Sequence, residues 1–374
     1  MEAYRELLRW AETQGVEMHG VEPRRIPGRG IGIVATKALQ ADERLIWVPT
    51  SVLRTLDTVP KRIAKRLPKD MRVHGLLAAD LALDRSKKYE QWNAIVPSRE
   101  DVWASLPLTW DPELHEFLPR PARDILRRQT ANFDKDWAAM QPAYPTSVPK
   151  AEYLYAWALV NTRTFYFETP KTKKLHKDDR MVLQPVADLF NHADEGCEVC
   201  FDQTSFTVTA RRAYSPGEEV FISYGNHSND FLLVEYGFVM AQNRWDEVCL
   251  DDAILPELSA RQKVLLEESG FLGNYMLDDS TVCYRTQAAV RILCVPVRDW
   301  RRFVEEGVDG GEAQQDKVDR LLIKILQKYV KTITKTLQSL KGLKVGQACQ
   351  LEMLSLRWQQ IQALTAKTIT GLDA

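Results

Sequence analysis

The chain has 374 residues, and its 50 Lys and Arg residues against 51 Asp and Glu residues give a formal net charge of −1. This length exceeds what one hydrophobic core usually supports, so about two packed units are expected. Hydrophobic residues at 45% and charged residues at 27% are typical of globular proteins and exclude a largely disordered chain. The near-zero net charge disfavours a protein that coats DNA, although a local basic patch could still bind nucleic acid.

The beginning of the chain and its cysteine content indicate a compartment. The sequence starts without an apolar core of signal-peptide length, and no segment approaches the length of an uncharged apolar membrane span. We therefore expect neither secretion by that route nor a membrane-spanning helix. Six cysteines are too sparse for a disulfide framework, which predicts a reducing compartment, the cytoplasm or the nucleus or both.

Hydrophobic periodicity predicts elements of both kinds in the first half of the chain. In order, they are an amphipathic helix ending at Gly15, strands at Val16–Val21, Ile31–Ala35 and Leu45–Val48, a helical stretch from Pro60 to about Met140, and a helix at Ala151–Glu168. The helical stretch is rich in tryptophan, and a proline-rich link follows it. A helical insertion between strand-rich segments is therefore expected.

Strand-like patterns return before a helical end. In order, the predicted strands are Met181–Val186, Cys197–Phe201, Phe206–Ala210 and Val220–Tyr224, of which the middle two alternate like a hairpin. From about Asp252 the pattern is almost entirely helical, and Gln314–Leu340 carries apolar residues at a period of 3.6. The sequence predicts an α+β protein, in which a β-rich unit of short strands with a helical insertion precedes an all-α C-terminal domain.

Three alternating glycines, Gly28, Gly30 and Gly32, lie between two predicted strands. The dinucleotide-binding fingerprint G-x-G-x-x-G lies between a strand and a helix, so both spacing and context exclude it here. Two interpretations remain. The glycines form a tight turn that needs positive φ, or they expose bare backbone that a ligand can approach closely.

An acid, an amide and an imidazole follow the next strand, at Asp188, Asn191 and His192. Asn and His together offer donors and acceptors that can hold an adenine edge or a carboxylate. A turn with a satisfied histidine is the alternative interpretation. A metal site is not expected, because only the acids Asp194 and Glu195 lie near His192 at a usable spacing.

Cys197 and Cys200 have the C-x-x-C spacing of a zinc half-site or a redox motif. A zinc ribbon needs a second pair, which the other four cysteines do not form, and a thioredoxin-like motif would open a helix. We therefore expect packing cysteines in a hairpin and no bound metal.

Six basic residues recur at helical spacing along one predicted helix: Lys317, Arg320, Lys324, Lys328, Lys331 and Lys335. We refer to them as the basic face. One interpretation is a solvated surface opposite the apolar stripe. The other is a weak docking surface for an acidic partner or an RNA backbone.

Four motifs, taken in order, resemble the SET-domain protein methyltransferases: Gly28-Arg29-Gly30-Ile31-Gly32, Asp188-x-x-Asn191-His192, Ile222-Ser223-Tyr224-Gly225 and Glu235-Tyr236-Gly237-Phe238. Each motif is weak alone, and their order and spacing carry the resemblance. The helical insertion and tail are similar to the subgroup that includes the Rubisco large-subunit lysine methyltransferase. The resemblance implies a SET catalytic domain over residues 1–250, with its insertion at about 60–150, and a helical substrate-binding domain over 251–374.

The resemblance also implies a cofactor, S-adenosylmethionine, and roles for individual residues. The residues that would bind the cofactor are Arg29, Gly30, Ile31, Arg163, Asn191 and His192, with Arg163 pairing with its carboxylate. Tyr224 would be the catalytic tyrosine, and the substrate channel would be lined by Asp188, Tyr236 and Phe238. Arg29 departs from some relatives, which carry an acid at that position.

The implied activity is methylation of a lysine in a non-histone protein, such as a ribosomal protein or a translation factor. The alternatives are methylation of a histidine and a non-catalytic adaptor that binds proteins. Tyr236 favours lysine because an aromatic wall suits an aliphatic ammonium stem, and the joint presence of Tyr224, Asn191 and His192 disfavours the adaptor. A cytoplasmic or nuclear monomer without membrane contact is expected.

Overall fold

The amino-terminal helix predicted from its apolar face is α1 (Glu2–Thr13), and Gly15 ends it at a φ of 81°. Leu7 and Ala11 of that face are buried. The computed structural model describes residues 2–279 and 281–373. Met1, Ser280 and Ala374 lie outside the described residues, and the first and last of these are the outer limits of the two predicted domains.

The strands occupy mainly the segments rich in β-branched and aromatic residues. In the described residues they are β1 (Glu17–Met18), β2 (Val21–Ile26), β3 (Gly30–Ala35), β4 (Arg44–Pro49), β5 (Thr164–Tyr166), β6 (Met181–Leu183), β7 (Asn191–Phe201), β8 (Ser205–Thr209), β9 (Glu219–Ile222), β10 (Val248–Cys249) and β11 (Met276–Leu277). The predicted hairpin is confirmed, because β7 and β8 pair antiparallel.

The remaining helices lie mostly in the predicted insertion and in the last third of the chain. In the described residues they are α2 (Lys61–Ala64), α3 (Val73–Leu83), α4 (Glu90–Asn93), α5 (Arg99–Ser105), α6 (Pro112–His115), α7 (Arg120–Ala143), α8 (Lys150–Arg163), α9 (Asn229–Tyr236), α10 (Asp251–Ile254), α11 (Ala260–Glu268), α12 (Tyr284–Cys294), α13 (Val297–Glu306), α14 (Glu312–Gly342) and α15 (Ala348–Leu372). Across the part of the chain that the structure describes, none of them is long and apolar enough to cross a membrane.

One sheet dominates the described strands, in the order β1-β4-β8-β7-β9-β3-β2. Its neighbours are antiparallel except for β7 and β9, which run parallel. In the parallel pair Asn191 lies opposite Phe221 and His192 lies opposite Ile222, before the register shifts. The start of β7 and the end of β9 are therefore neighbours in the sheet.

Two predicted boundaries are wrong around residues 164–186. The helix predicted over Ala151–Glu168 ends at Arg163, because the β-branched and aromatic residues Thr164–Tyr166 pair with β6 instead. The strand predicted over Met181–Val186 ends at Leu183, since Val186 has a φ of 83° and starts a turn.

Two further strand predictions are corrected at a turn and at a strand end. The strand predicted over Val16–Val21 is split into β1 and β2, because Gly20 turns the chain with a φ of 66°. The strand predicted over Val220–Tyr224 ends at Ile222, since the N–H of Tyr224 donates to a side chain rather than to a neighbouring strand.

The chain packs as two units. The first comprises residues 1–103 and 127–226 and contains the large sheet, and the second comprises residues 104–126 and 227–374. In the second unit α14 and α15 pack against each other, and Leu322, Ile333 and Ile361 are buried in its apolar core. The α+β class is confirmed, although the short pair β10 and β11 adds strand to the end predicted as all helix. The domain boundary at residue 250 stays a prediction, and the units change between residues 226 and 227.

Candidate active site

The turn between β2 and β3 contains glycine for two different reasons. Gly28 and Gly30 have φ of 75° and 74°, which a residue with a Cβ adopts only under strain. Gly32 is not in that region, but a Cβ on it would lie 2.5 Å from Oε1 of Glu219 and 2.8 Å from Nδ2 of Asn191. The predicted tight turn is confirmed, and Gly32 provides a close approach that the turn itself does not require.

Glu219 joins two of the predicted site residues. Nδ2 of Asn191 donates to Oε1 of Glu219 at 2.7 Å, and Nη2 of Arg29 lies 2.6 Å from Oε2. The second contact is an ion pair by distance, because no N–H of the described residues is aligned on Oε2 as a hydrogen bond. The side chain of Arg29 is 54% exposed and that of Glu219 only 9%, so the pair links solvent to the interior.

Asp188 lies in the turn Ala187–Leu189, and its carboxyl group is buried. Nε1 of Trp92, from α4, donates to Oδ2 at 3.0 Å. Arg163, at the end of α8, donates from Nη1 to the carbonyl oxygen of Asp188 at 3.0 Å and places Nε 3.4 Å from Oδ2. Burial raises the pKa of Asp188, while the charge of Arg163 and the bond from Trp92 oppose the shift.

His192 and Tyr224 hold each other through backbone and rings. The N–H of Tyr224 donates to Nδ1 of His192 at 3.0 Å, and the two rings stack with centroids 5.0 Å apart. An Nδ1 that accepts leaves the proton of the neutral imidazole on Nε2. The hydroxyl of Tyr224 donates to the carbonyl oxygen of Phe190 at 2.6 Å. The tyrosine is thereby tied at both ends to the start of β7.

Two buried atoms, one of Arg163 and one of Asp188, indicate what kind of ligand this part of the site can bind. Nε of Arg163 and Oδ1 of Asp188 are buried and make no hydrogen bond to the described residues. A donor and an acceptor placed together suit a ligand end that carries both a carboxylate and an ammonium group. The amino-acid end of S-adenosylmethionine has this chemistry, so the residues present fit that cofactor.

Tyr236 and Phe238 lie in the second unit, on either side of Gly237. Gly237 ends α9 with a φ of 81°, and a Cβ on it would lie 2.9 Å from the side chain of Ser105. Burial and the charge of Glu235 raise the pKa of Tyr236 to about 12. The Tyr236 hydroxyl therefore stays protonated at neutral pH.

Aromatic rings surround Tyr236 within the second unit. Its centroid lies 6.3 Å from that of His227, 6.4 Å from that of Phe231 and 6.4 Å from that of Phe238. His227 and Phe231 stack on each other at 4.1 Å. This aromatic group has the composition expected of a wall for a long aliphatic side chain that ends in a cation.

A buried guanidinium fixes the helix that carries Tyr236. Arg357, on α15, donates from Nε to Oδ1 of Asp230 at 2.8 Å and from Nη1 to Oδ2 of Asp246 at 2.6 Å. Its Nη2 donates to the carbonyl oxygen of Glu247 at 3.1 Å. The side chain of Arg357 is fully buried, and Asp230 lies in the first turn of α9. The position of α9 thus depends on this charge cluster.

The predicted residues fall into separate groups. The structure joins Arg29 to Asn191 through Glu219, Arg163 to Asp188, His192 to Tyr224, and Tyr236 to Phe238, while Gly30 and Ile31 begin β3 beside Arg29. The first three groups belong to the first unit, and the pair Tyr236 and Phe238 belongs to the second.

Sequence reasoning missed Glu219 and Trp92. Glu219 follows the turn at residues 215–218 and reads as an ordinary strand-opening acid, so nothing in its spacing indicated Gly32 or Asn191 as neighbours. Trp92 belongs to the tryptophan-rich insertion, and that enrichment was the available signal. A buried indole needs a hydrogen-bond acceptor, and here the acceptor is Asp188.

Cys197 and Cys200 lie on the hairpin strand β7 with different environments. Cys197 is buried with its Sγ 3.4 Å from the hydroxyl oxygen of Tyr214, whereas Cys200 is exposed, and both are free thiols. Burial raises the pKa of Cys197. One buried and one exposed thiol do not form a half-site, and the absence of a metal stays a prediction.

The chain belongs to the SET-domain family, whose model, described as SET domain, matches residues 30–225, more than half of the chain. Residues 246–371 match a second model, described as the ribosomal lysine N-methyltransferase 2 C-terminal domain. The family recognised from the four motifs is therefore confirmed.

Curated relatives match most of the chain. SET domain-containing protein 4 of Mus musculus is 26% identical, covering 100% of this chain and 94% of the relative. Ribosomal lysine N-methyltransferase set11 of Schizosaccharomyces pombe is 25% identical, covering 90% of each. Actin-histidine N-methyltransferase of Danio rerio is 24% identical, covering 80% of this chain and 54% of the relative.

A solved structure shares the fold. The structure of Rubisco LSMT bound to sinefungin and monomethyllysine covers 100% of this chain and 93% of that chain, with a TM-score of 0.65 and 16% identity.

Proposed function

We propose that this chain is an S-adenosylmethionine-dependent protein-lysine N-methyltransferase acting on a non-histone protein, such as a ribosomal protein or a translation factor. The observation that carries the proposal is the neighbouring pair of groups Arg163–Asp188 and His192–Tyr224 within a SET-domain chain. The S. pombe relative named as a ribosomal lysine N-methyltransferase supports lysine and a ribosomal target. Residues 246–371 match the model described as the ribosomal lysine N-methyltransferase 2 C-terminal domain, and this match supports the same two points.

We assign the cofactor to residues of the first unit. When bound, S-adenosylmethionine supplies the methyl group as an electrophilic sulfonium. The assigned residues are Arg29, Gly30, Ile31, Arg163, Asn191 and His192. The N–H on Nε of Arg163 makes no hydrogen bond to the described residues, so it can donate to the carboxylate of the cofactor. Because Asp188 contacts Arg163, we place Asp188 beside the amino-acid end of the cofactor, where it would line the substrate channel.

Tyr224 is the proposed catalytic residue. Its hydroxyl proton is directed at Phe190, so the hydroxyl oxygen serves as an acceptor toward any other partner. An acceptor oxygen can steady a polarised methyl group through weak C–H···O contacts. The target amine has a reference pKa of about 10.4 and must be deprotonated before it attacks. Burial of an amine beside a positive charge lowers its pKa and favours that state.

Tyr236 and Phe238 are proposed to contact the lysine side chain. The rings around Tyr236 provide apolar area for the aliphatic stem and negative ring faces for the ammonium group. Because the Tyr236 hydroxyl stays protonated, it adds no negative charge that would hold the amine in its protonated form.

The test is a methylation assay on cell extract and on purified ribosomes with isotope-labelled cofactor, followed by mass spectrometry of the labelled band. We expect one labelled protein, with the added mass on lysine. The matched controls are Asn191→Ala, which loses the proposed cofactor contact, and Asn132→Ala, an exposed asparagine of α7. Label transferred equally by wild type and Asn191→Ala would contradict the site.

Two other functions give different results in the same assay. Label on histidine would support histidine methylation, for which the named activity of the Danio rerio relative is the supporting observation. Binding of S-adenosylhomocysteine without any transfer would support an adaptor.

We also propose that the basic face contacts a polyanion, with RNA as the first candidate. All six of its side chains are exposed, and Lys328 pairs with Glu257 at 2.5 Å. An ion pair reduces the charge that a side chain can offer to a partner. The other five residues of the basic face have no ion pair within the described residues, so their charge remains available. Lys324→Glu with Lys331→Glu should weaken RNA retention and flatten its salt dependence, measured by filter binding. Unchanged retention would leave the face as a solvated surface.

The proposed setting is a cytoplasmic or nuclear monomer. The six cysteines are free thiols, which suits a reducing compartment. Light scattering after gel filtration and imaging of a tagged chain would test the two statements separately.

A further inference from the structure

Glu219 has contacts that its place at the start of a strand does not require. β9 lies between β3 and β7 in the sheet, and the Glu219 carboxylate reaches a residue associated with each neighbour. Its Oε1 accepts from Nδ2 of Asn191 at 2.7 Å, and its Oε2 lies 2.6 Å from Nη2 of Arg29. The guanidinium of Arg29 also lies 5.5 Å from the ring of Phe221, two residues along β9.

The contact with Glu219 decides which way the Asn191 amide faces. The two ends of an asparagine amide have opposite hydrogen-bonding roles, and an ionised carboxylate can only accept. Nδ2 must therefore face Glu219, and Oδ1 is directed elsewhere as an acceptor. Within the described residues Oδ1 makes no hydrogen bond, so it remains for an N–H of a ligand.

Gly32 makes room for this contact. A Cβ at this position would lie 2.5 Å from Oε1 of Glu219 and 2.8 Å from Nδ2 of Asn191, the two atoms of the hydrogen bond. Cγ1 of Ile26 would lie 2.9 Å away as well, and all three are side-chain atoms, so a Cβ would be accommodated by shifting them and disturbing the hydrogen bond. The third glycine of the turn thus preserves the Glu219–Asn191 bond rather than a backbone conformation.

We propose that Glu219 is a positioning residue of the cofactor site, which orients the amide of Asn191 and holds Arg29 at the exposed side. This inference rests on the proposed function. Removing the carboxylate frees the Asn191 amide to rotate and leaves Arg29 without its ion pair. Removing a hydrogen bond that involves a charged group and orients a binding residue should weaken the affinity for the cofactor by about 10- to 100-fold.

The experiment measures the dissociation constant of S-adenosylhomocysteine by titration calorimetry, together with the melting temperature of each ligand-free variant. Glu219→Ala should bind about 10- to 100-fold more weakly. The matched control is Glu218→Ala, which removes the adjacent acid that pairs with Arg212 at 2.7 Å. Glu218→Ala should bind as wild type does. A purely structural role for Glu219 would lower the melting temperature and leave the dissociation constant unchanged.

Two conservative variants separate reach from charge and remain informative if Glu219→Ala does not fold. Glu219→Gln keeps the length of the side chain and an acceptor oxygen for Asn191 but loses the ion pair with Arg29, so it should restore part of the affinity. Glu219→Asp keeps the charge but is one methylene shorter, so the bond to Asn191 should be lost and binding should weaken. Near-normal binding by Asp with weak binding by Gln would overturn the proposed orientation of Asn191, and so would wild-type binding by every variant.

Gly32→Ala acts on the same bond from its other side. It should weaken binding while the chain remains folded, and unchanged binding would contradict the role given to Gly32. Methyl transfer at saturating cofactor should fall less than the cofactor KM rises in Glu219→Ala. Failure of the wild-type chain itself to bind S-adenosylhomocysteine would contradict the proposed function, whereas wild-type binding with unaffected Glu219 variants would contradict this inference alone.

Discussion

The hydroxyl of Tyr224 donates a 2.6 Å hydrogen bond to the backbone carbonyl of Phe190, the residue directly before Asn191. The ring is therefore fixed to the same peptide segment that carries Asn191 and His192. A side chain held in this way keeps one orientation without reorganising during a reaction, which is the property that makes a polar group effective in a transition state.

Replacing Tyr224 with phenylalanine should lower the rate of methyl transfer by about 100- to 1,000-fold, by analogy with other positioned polar groups. The dissociation constant of S-adenosylhomocysteine should change little, because the stacked ring is retained. An interaction made mainly in the transition state lowers kcat and kcat/KM together. Single-turnover rates at saturating cofactor measure the effect.

The matched control is Tyr153→Phe. Tyr153 is a buried tyrosine whose hydroxyl donates to the carbonyl oxygen of Gly75 at 3.1 Å, so the variant loses the same kind of bond elsewhere in the first unit. It should retain the wild-type rate per folded molecule. Equal rates in wild type and Tyr224→Phe would assign Tyr224 to packing.

Asn191→Ala should remove most of the thermal stabilisation by S-adenosylhomocysteine. A ligand that binds only the folded state stabilises it by about 2.7 kcal/mol at a hundredfold excess over its dissociation constant. Differential scanning fluorimetry with and without ligand measures the shift, and Asn132→Ala serves as the exposed control. A full shift in Asn191→Ala would place the cofactor elsewhere.

His74 should make the first unit sensitive to mild acid. Its ring stacks on Trp157 at 4.1 Å, Nε2 donates to the Trp157 carbonyl at 3.0 Å, and burial lowers its pKa from 6.5 to about 3. In the unfolded chain His74 binds a proton below about pH 6.5, whereas in the folded chain it binds one only below about pH 3. The free energy of unfolding therefore decreases as the pH falls through this range. Between pH 7 and pH 5 the loss amounts to about 2 kcal/mol.

Urea unfolding at pH 7 and pH 5 measures this loss. His74→Gln keeps a donor and cannot be protonated, so its stability should differ less between the two pH values. His176→Gln, which removes a ring that is 77% exposed, should leave the difference as in wild type. The same pH difference in His74→Gln and wild type would contradict the assignment.

Arg357→Met should destabilise the second unit by about 3–5 kcal/mol, since it leaves the buried carboxylate of Asp230 without its partner. Chemical denaturation followed by tryptophan fluorescence measures the change. The control is Arg320→Met on the exposed basic face, expected to lie within about 0.5 kcal/mol of wild type. A small effect of Arg357→Met would contradict the role given to Arg357 in holding Asp230.

Metal analysis of the purified chain should find well under one zinc per molecule. Cys197 is buried and Cys200 is exposed, so the two thiols do not face one ion. Stoichiometric zinc that disappears in Cys200→Ser would contradict this expectation, and Cys349→Ser provides the exposed-thiol control.

Local pattern predicted the hairpin of β7 and β8, the long helix α14 and the glycine turn, because each depends on residues near one another in the chain. The β5 strand was predicted as helix, since its partner β6 lies fifteen or more residues away and the pairing outweighs local periodicity. Tyr224 was predicted to end a strand, yet its N–H is taken by His192, thirty-two residues earlier.

The site residues were found through motif order, whereas their partners were not. Glu219 contacts Asn191 across the sheet, and Trp92 contacts Asp188 from the insertion. Contacts between residues so far apart in the chain cannot be read from a local sequence pattern. Burial of the Asp188 carboxyl is likewise a property of the packed chain.

The crowding around Gly32 also couples the changes that positions 32 and 219 can undergo during evolution. An alanine at position 32 collides with the ends of Glu219 and Asn191 while both side chains keep their present length. Shortening residue 219 first would open the space, after which a Cβ at 32 could be tolerated. Either route passes through an intermediate that loses ligand affinity, because shortening residue 219 also breaks its bond to Asn191. Lineages that keep glutamate at 219 should therefore keep glycine at 32.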